Sequence, residues 1–81
     1  MEAAVQVRTF ITSNFYVADS AVLTDEASLL DSGIIDSTGI LEVVSFLEAE
    51  FGIQVKDEEM LPENLDSIGN IARYVDRKLR A

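Results

Sequence analysis

Apolar residues recur along this chain at helical rather than strand spacing. From Glu2 to about Phe15, Ala4, Val7, Ile11 and Phe15 return every three or four positions, and Phe10 widens the stripe. That pattern predicts an amphipathic first helix. A second helix is predicted from Asp36 or Ser37 to near Phe51, with Ile40, Val43, Leu47 and Phe51 facing inward and Gly52 placed to end it. The last helix starts at Asp66 or Ser67 and carries Ile68, Ile71, Ala72, Val75 and Leu79 one turn apart. Before it, residues Asp57 to Leu61 read as a short turn capped by Asp57 and closed ahead of Pro62.

The connection from Tyr16 to Ile35 contains Val17, Val22, Leu23, Leu29, Leu30, Ile34 and Ile35, too many apolar residues for a free linker. It is expected to be an ordered loop packed over the bundle. Gly52 to Val55 alternates like a strand but is too short and unpartnered to form a sheet. The expected fold is all-α: a four-helix bundle of three longer helices and one short one, with a long ordered first loop.

Composition narrows the chemistry. The chain has 81 residues, enough for one small domain spanning residues 1–81. It has no Cys and no His. No disulfide, Ser-His pair or Cys-His pair can be built from it, so an autonomous hydrolase is disfavoured. No secretory signal or bilayer-spanning run is read in the sequence, and a soluble, cytoplasmic, monomeric protein is expected.

The formal net charge is −9 and unevenly spread. No Lys or Arg lies between Arg8 and Lys56, a span holding eight acids, whereas Arg73, Arg77, Lys78 and Arg80 cluster at the C-terminal end. Such a field repels phosphate backbones, which argues against nucleic acid, and steers basic protein surfaces toward the middle of the chain. Acids that merely keep a small domain in solution account for the same total. Asp57, Glu58 and Glu59 lack the spacing of a calcium loop and read as a solvated face.

Asp-Ser occurs four times, at 19–20, 31–32, 36–37 and 66–67. Both residues are favoured helix caps, and for Asp66-Ser67 capping is a sufficient explanation. At Asp36-Ser37 a cap on Asp36 makes Ser37 the first helical residue, at a helix end that tolerates an anion. Gly39, two residues on, costs about 0.5–1 kcal/mol in a helix relative to Ala. It leaves room either for an adduct on Ser37 or for a close approach by another segment. Met60 and Val55 are candidates to line an apolar cleft, with core packing as the plainer role for each.

The stretch LLDSGIIDSTGILEVVSFLEAEFGIQV resembles the signature of acyl carrier proteins and of the related peptidyl and aminoacyl carrier domains. The resemblance extends through DEEML and PENLDSI to the last helix, covering essentially the whole chain. It implies a 4′-phosphopantetheine arm, drawn from coenzyme A and esterified to Ser37, with Asp36 as the adjacent motif residue. The arm's thiol would carry an acyl or aminoacyl group as a thioester. It further implies that Thr38, Glu42 and Glu48 meet partner enzymes: a phosphopantetheinyl transferase, an acyl- or aminoacyl-loading ligase and downstream transferases. Thr38 stands where the family usually has Leu or Met, and Gly39 and Ala49 replace common acidic residues. Gly-Ile-Ile-Asp-Ser with Gly39 is similar to the Asp-Ser-Met-Gly segment of D-alanyl and other aminoacyl carriers.

A non-enzymatic, free-standing carrier modified at Ser37 is therefore the leading expectation. Its competitor is an acidic helical interaction module in which Asp36-Ser37 is only a cap.

Overall fold

A computed structural model describes residues 2–15, 17 and 23–80. Its helices are α1 (Glu2–Asn14), α2 (Ser37–Phe51), α3 (Pro62–Leu65) and α4 (Ile68–Arg80), with a 3-10 turn at Asp57–Glu59. The protein is all-helical, and no strand occurs among the described residues. Gly52 to Val55 forms no strand.

The predicted stripes form the core. Val7, Ile11, Val43, Leu47, Ile68, Ile71, Ala72 and Val75 are fully enclosed. α4 is the central element and packs against α1, α2 and α3. It also buries Tyr74, which lies off the expected stripe. Leu79, expected to face inward, is 55% exposed: Ala3 and Phe51 flank it without covering it. α1 and α2 meet through aromatic rings. Phe10 stacks on Phe46 with centroids 4.2 Å apart, and Phe15 and Phe51 extend the cluster edge-on.

Each long helix ends where local chemistry dictates. Gly52 adopts φ 68°, a left-handed conformation that costs glycine little, and donates its N–H to the Glu48 carbonyl. At the start of α4, Ser67 Oγ accepts the Asn70 N–H at 3.0 Å, so Ser67 is the cap. The segment between α2 and α4 differs from expectation. Asp57 lies within the 3-10 turn rather than capping it, the position before the turn being Lys56. Pro62 opens α3 instead of closing a turn, because its fixed φ and missing N–H suit a first helical position.

The described part of the first loop is anchored, as its apolar residues foretold. Leu23, Leu29 and Ile35 are buried, Val17 and Ile34 are half-buried, and Leu30 is left exposed. Val22 lies outside the described residues. The loop is pinned to the amino-terminal end of α4. Asp66 accepts Ser28 Oγ at 2.7 Å and the Leu30 N–H at 2.9 Å on its carboxylate, and the Leu29 N–H at 2.6 Å on its carbonyl. The Asp25 carbonyl accepts the Gly69 N–H at 2.7 Å. On the α1 side, Arg8 reaches Asp25 at 2.6 Å and also bonds the Leu23 carbonyl.

Gly69 is where the loop crosses the helix. A Cβ there would lie 3.0 Å from the Asp25 carbonyl oxygen and 2.8 Å from Glu26 Oε1. Gly69→Ala should therefore lower stability by about 1 kcal/mol in urea denaturation, although alanine is the better helix former, because overpacking against backbone outweighs propensity.

Candidate functional site

The start of α2 is shaped by one carboxylate. Asp36 is extended, at φ −105° and ψ −173°, and its Oδ1 accepts the Gly39 N–H at 2.7 Å. Ser37 becomes the first helical residue. Helix geometry leaves the N–H groups of Ser37 and Thr38 without intrahelical acceptors. The Ser37 side chain is exposed and no hydrogen bond holds its hydroxyl among the described residues.

Gly39 does not open space around Ser37. It is buried, and a Cβ there would stand 2.9 Å from the Phe15 ring and 3.1 Å from Ile35. Its role is the close approach of another segment.

Beside Ser37 runs an apolar groove of about 230 Å³. Leu30 from the first loop and Ile40 from α2 form one side. Met60, Leu61, Pro62 and Leu65 form the other. Every lining residue except Ser37 is apolar. Met60 is thus placed as a cleft residue, whereas Val55 is not: it is buried in the core. Ile40 belongs to the predicted stripe of α2, whereas Leu30, Leu61, Pro62 and Leu65 come from segments distant in sequence that no local pattern singles out.

Of the residues expected to meet partners, Thr38 and Glu42 are exposed and border a shared dent with Asp36 and Phe15. Glu48 is different. It is half-buried toward the other end of α2, and its Oε2 accepts the Val55 N–H at 3.0 Å, tying the exit of α2 back to the helix.

The acidic run 57–59 is not uniformly solvated. Glu59 Oε1 is a hub that accepts Lys78 Nζ at 3.0 Å, the Lys56 N–H at 3.1 Å and Tyr74 OH at 3.2 Å. The Lys78 ammonium, followed by the Lys56 N–H, holds the Glu59 carboxyl below its ordinary range. Burial, then the Glu59 carboxylate, pushes the Tyr74 phenol up to about 12. Among the described residues no cluster of Asp and Glu is arranged to hold a metal ion. No helix of the described residues is long and apolar enough to cross a membrane.

A family model described as a phosphopantetheine attachment site matches residues 5–75, nearly the whole chain. The chain belongs to the phosphopantetheine attachment-site family. Comparison with curated proteins returns no match. The prosthetic group of the family is covalent 4′-phosphopantetheine. Its domains carry that arm, are not themselves catalysts, and interact with phosphopantetheinyl transferases and biosynthetic enzymes. At the start of α2 lie an exposed hydroxyl, two N–H donors at the positive end of a helix, and an apolar groove alongside.

Two outcomes follow from these contacts. Asp36→Ala should cost about 1 kcal/mol of stability in denaturant melts, with Asp36→Asn restoring most of it, because both native and Asn oxygens cap Gly39. Tyr74 should titrate near 12 in the folded protein, against about 10 when unfolded. A raised phenol pKa stabilises the fold fully below pH 10 and loses that contribution as pH climbs toward 12. Phenolate absorbance against pH, with Tyr74→Phe to assign the signal, checks it. The lowered Glu59 carboxyl has the opposite sense: its contribution is present above the usual carboxylate range and fades as pH falls through its depressed value.

Proposed function

We propose that Ser37 is the phosphopantetheine attachment residue, that residues 1–81 form one carrier domain, and that its cargo is an aliphatic acyl group. The observation that carries this reading is the exposed Ser37 hydroxyl, which opens α2 and borders the apolar groove within the family-matched span.

In the attachment step the Ser37 oxygen attacks the pantetheine-side phosphorus of the coenzyme A pyrophosphate. The serine O–P bond forms, the P–O bond to the nucleotide breaks, 3′,5′-ADP leaves, and the hydroxyl proton passes to solvent or a base of the transferase. Asp36 holds the helix end in place through Gly39, and its carboxylate would add a ligand for the metal ion that such a transferase uses. The exposed N–H groups of Ser37 and Thr38 offer donors to the phosphodiester that results. When attached, the arm supplies a thiol that holds its cargo as a thioester.

The groove favours an acyl over an aminoacyl cargo. No carboxylate lines it. An α-ammonium enclosed there would be unpaired, which is costly. Thr38 and Glu42 are the docking residues this reading keeps, since both face outward near Ser37. Glu48 is engaged with Val55, so its substitution should act partly through the α2 exit.

Incubation with coenzyme A and a broad-specificity phosphopantetheinyl transferase tests the proposal. Intact mass should rise by one phosphopantetheine for the native chain and stay unchanged for Ser37→Ala. A folded native chain that takes no adduct is instead an acidic interaction module. The modification rate should fall with added salt, and Glu42→Gln should reduce that salt dependence, because acids on α2 steer the basic partner.

A further inference from the structure

The two sides of the groove are held by different forces. The Leu30 side rests on buried Leu29 and on the three bonds to Asp66. On the other side Leu65 is buried and anchors the far end. The near end has no such anchor: no residue of the 3-10 turn is buried, Met60 is half-buried, and Leu61 is 42% exposed. Apart from Met60, which packs in part against the core, little apolar burial fixes residues 57–62 to the bundle.

Polar contacts add to this, and three of them converge on one side chain. A single oxygen of Glu59 receives Lys78 and Tyr74 from α4 and the backbone of Lys56. The Glu59 carbonyl also accepts Asn64 Nδ2 at 2.8 Å, and Asn64 Oδ1 accepts Arg77 at 3.0 Å. Met60, the next residue, is the first of the groove wall. The Lys78–Glu59 pair is only partly exposed, at 22% and 28% of each side chain, so solvent weakens it less than the outer pair Arg80–Asp76.

We propose that Glu59 is a positioning residue that latches the Met60–Pro62 wall to α4 and thereby sets how long an acyl chain the groove encloses. This rests on the assignment of Ser37 as the attachment site. With the latch closed, the wall stands opposite Leu30 and Ile40 and shields an aliphatic chain from water. With it released, residues 57–62 swing about Leu65 and the shield opens, while the helices that carry Ser37 stay in place.

The test compares the native chain with Glu59→Ala, Glu59→Gln and Lys78→Met. Each is loaded by the transferase from acetyl- or octanoyl-coenzyme A, and hydroxylamine cleavage of each loaded protein is timed. In the native chain octanoyl should be cleaved more slowly than acetyl, since each further enclosed methylene shifts the sheltered fraction up to about fourfold. Glu59→Ala should speed octanoyl cleavage up to about fivefold, the size expected for a partly exposed ion pair. Acetyl cleavage should stay within about twofold, because a chain too short to reach the wall gains no shelter from it. Glu59→Gln should fall between, keeping the Tyr74 and Lys56 contacts. Lys78→Met should match Glu59→Gln without touching the wall itself.

A second readout needs no arm. In the unmodified chain, hydrogen exchange at the Glu59, Met60 and Leu61 amides should rise in Glu59→Ala, while α1 and α2 amides keep the native rate. Equal acceleration of both thioesters, or of exchange throughout the chain, would mean general destabilisation and overturn the latch. So would unchanged octanoyl cleavage in the variants, or no difference between the two thioesters in the native chain. Failure of the native chain to accept any arm would instead strike the Ser37 assignment, leaving the exchange experiment to judge the latch alone.

Discussion

Ser37 stands where it does because of Asp66. The carboxylate and carbonyl of that residue hold Ser28, Leu29 and Leu30 against the start of α4. The Leu29 carbonyl in turn accepts the Ile35 N–H at 3.1 Å, and Ile35 is buried directly ahead of Asp36. A chain of short-range bonds thus runs from the central helix through the loop to the cap of α2. Loops usually vary in position because their backbone groups find water as readily as protein. Here the described end of the loop has protein acceptors and donors, so the start of α2 is fixed to the core by more than its own stripe.

The same economy governs charge. Most of the basic side chains are occupied inside the molecule: Arg8 with Asp25, Arg73 with Glu26, Lys78 with Glu59 and Arg80 with Asp76. They hold loop, turn and helix ends together. α2 has no base of its own, and among the described residues no ion pair engages the acids along it. The more exposed of these pairs, all but Lys78–Glu59, add little stability each. Their larger consequence is a field in which the region around Ser37 stays negative while the basic end of α4 is largely neutralised.

The bundle belongs to a family whose domains carry an arm and are not themselves catalysts. What it supplies is position: a hydroxyl at a helix end, donors beside it, and an apolar groove assembled from the loop, α2, the connection after it and α3. One wall of that groove is braced by burial and the other mainly by a charged hub. A small domain encloses only about 60% of its unfolded surface, so it must place some walls by polar contact rather than by core.

The sequence by itself determined the three long helices, most of the core and the caps of α2 and α4. Val7, Ile11, Val43, Leu47, Ile71 and Val75 are separated by whole turns, and a helix that buries such a stripe needs no information from elsewhere in the chain. Asp36 and Ser67 cap the helices that follow them within a few residues, so their role was equally local. The family resemblance was legible in contiguous residues for the same reason. Tertiary structure decided the rest. Gly39 and Gly69 are required by Phe15 and Asp25, which lie far off along the chain. Leu79 kept the helical spacing of a core residue but met no covering neighbour. Glu59 read as one of three solvated acids until folding brought it to Tyr74 and Lys78, 15 and 19 residues away. Periodicity records what a residue does within its own helix, whereas a contact between segments exists only once their packing has set the distance.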